Sequence, residues 1–137
     1  MANSSGSAAS LLGRILICLV FVFSGVSKLM AYSMMAGFAA SKGLPMAHYA
    51  IGAAAALEIL GGLSVAAGFK TKFAAWLLFL FLIPTTLLFH NFWTMQGMER
   101  MDNQSHFLKN LAIMGGLLIL AANGAGRYSV DSSAAKA

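Results

Sequence analysis

Four apolar stretches separated by short polar runs fill most of this chain. They run about Leu11–Ala31, Ala47–Phe69, Phe73–His90 and Phe107–Asn123. Each approaches the ~20 apolar residues that a helix needs to cross a bilayer. Lipid admits only helices and closed barrels, because every backbone N–H and C=O must find a partner inside the protein. The pattern therefore predicts an all-α fold, an integral membrane four-helix bundle. Residues 1–10 are small and polar and read as a disordered N-terminal tail. The transmembrane domain covers 11–126, and 127–137 is a polar C-terminal tail. In the first stretch only Ile15–Ser27 is free of charge, and Arg14 is expected to snorkel outward from it.

Only 9% of the residues are charged and 59% are hydrophobic, against about 25% charged in a soluble domain. The sequence pI of about 9.7 raises the question of nucleic acid. The nine Lys and Arg residues, however, are scattered singly, as charges flanking membrane helices are, so no nucleic-acid partner is expected. The single cysteine, Cys18, lies in an apolar run and reads as a small buried hydrophobe. Arg14 followed by Ile15–Val26 also fits a secretory signal peptide, but no small-x-small site follows and Lys28 interrupts the place for one.

The second and third stretches are joined only by Lys70-Thr-Lys72, which makes them antiparallel neighbours. Four spans put both termini on one side. That side carries Arg14, Lys70, Lys72, Arg127 and Lys136; the other carries Lys28, Lys42, Arg100 and Lys109 with Glu99 and Asp102. The balance leans toward cytoplasmic termini. Pro84 is expected to kink the third span by freeing the carbonyl of Leu80, with Thr85 and Thr86 close enough to help satisfy it.

Glu58 is the residue that most asks for an explanation. It lies roughly ten residues from either end of its stretch, so ~15 Å from each side at the helical rise. A carboxylate at that depth costs roughly 2.5 kcal/mol or more and needs a partner, a proton or a polar cavity. Cα–Cβ bonds tilt toward a helix N-terminus. Lys28, on an outward-running helix, leans into the membrane, and Glu58, on an inward-running one, leans out toward it. An ion pair between them is expected, and Arg14 leans the wrong way to compete. Glu58 shares its face with Ala54, Ala55, Gly61 and Gly62, and Lys28 with Ser24 and Gly25, small residues that let helices approach in lipid. His90, Asn91 and Trp93 end the third span on the outer side, and Lys109 and Asn110 begin the fourth. Two readings fit: a clasp between helices, or a ligand pocket with Glu58 as floor and His90, Asn91 and Trp93 as rim. The histidines His48, His90 and His106 lack i,i+4 spacing and a cysteine companion, so no metal site is expected. No phosphate loop, nucleophile elbow or His-Glu-x-x-His motif is present, and no catalytic residue is assigned.

The motif string resembles the DoxX family of small bacterial inner-membrane proteins. The matching pieces are Arg14 with Phe23-Ser-Gly-Val-Ser-Lys28-Leu, Leu57-Glu58-Ile-Leu-Gly-Gly62 with Gly68, His90-Asn-Phe-Trp93, and Phe107-Leu-Lys109-Asn110-Leu-Ala-Ile-Met-Gly-Gly116. The resemblance implies a four-helix membrane bundle, and a place beside quinone-linked oxidation or redox-stress complexes. On that reading Lys28, Glu58, His90 and Lys109 line a quinone head-group pocket. A soluble or membrane oxidoreductase subunit then holds the redox centre, since no ligand set for haem or an iron–sulfur cluster exists here. The alternative is a non-enzymatic scaffold, assembly partner or small-molecule permease, the last working as a homo-oligomer.

Overall fold

A computed structural model describes residues 4–135. Six helices follow in order: α1 Ser4–Met30, α2 Tyr32–Ser41, α3 Ala47–Ala67, α4 Thr71–Phe89, α5 Gly97–Asn123 and α6 Val130–Ala134, with a 3-10 turn at Phe92–Thr94 before α5. Four of them, α1, α3, α4 and α5, are long and apolar enough to cross a membrane. The sides they leave uncovered are apolar, among them Leu12, Leu16, Leu19, Phe23, Leu60, Phe73 and Leu87. In water such surface would be costly; in lipid it is the solvated face. The protein is a multi-pass membrane protein.

Three elements depart from the sequence reading. Helix α1 already begins at Ser4, inside the stretch expected to be a disordered tail; residues 1–3 lie outside the described ones. The connection Tyr32–Met46 holds α2, which packs against α3. Helix α5 starts at Gly97, ten residues before the apolar run, because Met98-Glu-Arg-Met are good helix formers and nothing breaks the helix before the membrane.

Helix α1 packs along α3, α3 on α4, and α4 on α5, while α1 and α5 approach one another only sparsely. The hydroxyl of Ser10 donates to the carbonyl of Ala125 at 2.9 Å, which sets both ends of the chain at one end of the bundle, the terminal end. Its core is Phe21, Val65, Ala74, Ala75, Leu78, Leu82, Leu117, Leu120 and Ala121. A second, smaller core of Ala36, Ala39, Ala47 and Ile51 lies at the opposite, loop end beneath α2. At Gly25 α1 and α3 approach closely: a Cβ would stand 2.7 Å from Ile59 Cγ1 and 2.9 Å from the Ala55 carbonyl.

Arg14 does not snorkel. It is 1% exposed and donates to the carbonyls of Val65 at 3.3 Å and Ala66 at 2.8 Å, and to that of Tyr128. The first two belong to the last turn of α3, where the helix dipole is negative; the Val65 carbonyl also accepts from the Gly68 N–H at 3.2 Å. The polar tail is also held. Asp131 accepts from the Lys70 N–H at 2.7 Å, the Thr71 N–H at 2.9 Å and the Thr71 hydroxyl at 2.7 Å, so it caps the start of α4. Burial acts to raise the Asp131 pKa, but the bonds from Thr71 and Lys70 and the nearby Arg14 charge outweigh it and hold the carboxyl below its ordinary 3.8.

Candidate ligand cavity

Lys28 and Glu58 meet as the helix geometry requires. Lys28 Nζ lies 2.9 Å from Glu58 Oε2 and donates to Oε1 at 3.1 Å. Ser24, one turn before Lys28, accepts from its ammonium at 2.8 Å and donates to Glu58 Oε1 at 2.9 Å. The network is therefore a closed triangle tying α1 to α3 beside Gly25. Glu58 is 3% exposed. Its Oε2 touches the ammonium off the hydrogen-bond direction and accepts no hydrogen bond.

The triangle forms one wall of a cavity of about 380 Å³ between the two cores. That volume falls in the range of small-molecule sites, which run about 300–1,000 Å³. The remaining walls are largely apolar, including Phe21, Ile51, Phe81, Leu82 and Leu88. Their polar exceptions are Thr85, His90 and Asn110. Pro84 also lines the space. Helix α4 runs unbroken through it, with the Thr85 hydroxyl donating to the Phe81 carbonyl at 2.8 Å. Asn110 on α5 donates to Thr86 Oγ1 on α4 at 2.9 Å, which leaves its amide oxygen as an acceptor.

His90 is the C-cap of α4. Its Nδ1 lies 3.1 Å from Asn103 Oδ1, and the Asn103 amide nitrogen is turned to the Glu99 carbonyl at 3.0 Å. The oxygen facing His90 can only accept, so Nδ1 carries the proton and Nε2 of the neutral ring is an acceptor. His90 stacks on His106 with ring centroids 5.1 Å apart, and His106 Nε2 lies 3.6 Å from Asp102. A chain of titratable groups thus leads from the cavity to the loop-end surface.

Of the residues expected to form the pocket, Lys28, Glu58, His90 and Asn110 line this cavity. Asn91 and Trp93 do not. The helix ends at Phe89 and the chain swings into the 3-10 turn, so Asn91 faces Lys42 Nζ at 3.5 Å. Trp93, 53% exposed, packs edge-on against Phe92 and Phe107. Lys109 lines a neighbouring groove. Sequence reasoning did not single out Ser24 as a bonding partner or Thr85 as a wall residue; a hydroxyl one helical turn from Lys28 was the available signal for the former. No cluster of three His, Cys, Asp or Glu residues able to hold a metal ion occurs among the described residues.

A family model described as DoxX matches residues 9–91. The inner membrane protein YphA of Escherichia coli (strain K12) is 32% identical over 121 residues, which cover 88% of this chain and 86% of that protein. The inner membrane protein YqjF of the same organism is 34% identical over 121 residues, 88% of each. The ER-derived vesicles protein ERV29 of Saccharomyces cerevisiae is 40% identical over a shorter stretch of 75 residues, 55% of this chain and 24% of that protein. No solved structure gives a significant match.

Proposed function

The chain belongs to the DoxX family, and on that premise we propose that it is the membrane-embedded subunit that binds a quinone-type ligand for a redox partner in the bacterial inner membrane, with both termini cytoplasmic. The observation that carries the reading is the buried Lys28–Ser24–Glu58 network in the wall of a largely apolar cavity that His90 and Asn110 also line. His90 Nε2 and the Asn110 amide oxygen are both acceptors. Such a site suits the reduced ligand, whose two hydroxyls donate, better than the oxidised one, whose carbonyls accept. The apolar walls suit the ring and the start of a prenyl tail.

A bound quinol supplies two electrons and two protons when it is oxidised. The Glu58 carboxylate would orient one hydroxyl and take its proton, while His90 would take the other. His90 accepts a proton at Nε2 and stands one stacked ring from His106 at the surface. The electrons leave to a redox centre of a partner oxidoreductase subunit.

The test is purification in mild detergent followed by mass spectrometry of the extracted quinones. The proposal expects bound quinol, with occupancy reduced by Glu58→Ala and by His90→Ala and unchanged by Cys18→Ala. Because Glu58→Ala removes an ion-pair partner, His90→Ala at the helix end separates ligand loss from unfolding. A second reading has its own support: the Lys28–Ser24–Glu58 triangle joins α1 to α3 beside their close approach at Gly25, as a clasp in a scaffold would. Absence of any bound quinone, with Glu58→Ala changing only the melting temperature, favours that reading.

A further inference from the structure

A groove of about 780 Å³ lies between α1 and α5, beside the cavity. These two helices touch in the terminal half, where Phe21 and Leu117 share a core. Toward the loop end their sparse contact leaves the groove open. Leu19, Val20, Phe23 and Ile113 form its apolar part, and Ser27, Lys28, His106, Lys109 and Asn110 its polar part. Along α1 the distance from Ser27 to Leu19 is ~12 Å at the helical rise, most of the ~15 Å depth of one leaflet's hydrocarbon.

The cations at the polar end differ in their partners. Lys28 is paired with Glu58, and His106 lies 3.6 Å from Asp102. Lys109 is exposed and forms no ion pair among the described residues. Among the described residues Lys109 is thus the groove's cation with no acidic partner, and the Ser27 hydroxyl lines the same space.

We propose that this groove seats one anionic phospholipid. Its phosphate lies at Lys109 and Ser27, and one acyl chain lies against Leu19, Phe23 and Ile113. The apolar length below the basic rim argues for a lipid rather than a free anion. The groove shares Val20, Ser24, Lys28, Met35, Asn110 and Ile113 with the cavity, so the seated chain forms the wall that the protein leaves out on that side. The site does not depend on what the cavity binds.

Native mass spectrometry of the purified protein with added phosphatidylglycerol or phosphatidylcholine of identical chains tests it. The expected result is preferential retention of one phosphatidylglycerol, weakened about tenfold by Lys109→Gln, the worth of one charge-assisted hydrogen bond. Lys42→Gln, at the same end but turned to Asn91, leaves retention unchanged. Lys109 is exposed, so an unaltered circular dichroism melt is expected for its variant. Equal retention of the two lipids overturns the proposal, as does an equal effect of Lys42→Gln. Displacement of the lipid by millimolar inorganic phosphate overturns the lipid assignment in favour of a free-anion site.

Discussion

Lys28 Nζ stands 2.9 Å from Glu58 Oε2, across the α1–α3 interface one turn from the close approach at Gly25. Both groups are largely out of solvent, so removing one partner leaves an uncompensated charge. Glu58→Gln is expected to destabilise the bundle by about 3 kcal/mol, at the low end for a broken buried pair. Lys109→Gln, at an exposed position, is expected to cost well under 1 kcal/mol. A Lys28→Met/Glu58→Leu double variant should recover most of the loss, because two apolar groups replace both charges at once. Unfolding in mixed micelles measures all three; a double variant no more stable than Glu58→Gln contradicts the account.

Gly25 sets that approach. Its neighbours include the Ala55 backbone oxygen, which cannot rotate away as a side chain can. Gly25→Leu should force α1 off α3 and break the Lys28–Glu58 contact. The expected readout is a melting temperature lower by many degrees, with Gly13→Leu, at a position with open space, near wild type.

The Asp131 clasp gives a pH dependence at the terminal end. The folded pKa lies below the ordinary 3.8, so its stabilisation is present above about pH 4 and is lost as pH falls through the folded value. A fluorophore on Ala134→Cys in a Cys18→Ser background should become mobile on acidification below that range. In Asp131→Asn it should be mobile already at neutral pH and show no such transition.

Orientation follows from labelling. In the same Cys18→Ser background, a cysteine at exposed Met98 is expected to react with an impermeant maleimide in intact cells. One at exposed Ala134 should react only after lysis. The reverse pattern inverts the topology.

Hydropathy alone located the four spans, since a bilayer constrains length and polarity so tightly. The Lys28–Glu58 pair was legible because Cβ tilt is a property of any helix. Other features depend on partners that the sequence does not advertise. Arg14 bonds three backbone carbonyls, which every residue carries, so nothing local distinguishes it from a snorkelling arginine. Asp131 finds the start of α4 sixty residues away. Helix α2 is too short to span and has no apolar stripe that sets it apart. The pocket rim at Asn91 and Trp93 was misplaced because α4 ends at Phe89 and the backbone changes course.

Arg14 also has a consequence for biosynthesis. It enters the membrane with the first span, and its α3 carbonyls follow once that helix is made. Tyr128 and Asp131 emerge only after all four spans. Until then the guanidinium lacks one acceptor, and the first turn of α4 lacks its cap. The segment that carries Tyr128 and Asp131, made after the four spans, therefore locks a bundle whose spanning helices precede it, and a ribosome that stalls before Tyr128 leaves that bundle open at its terminal end.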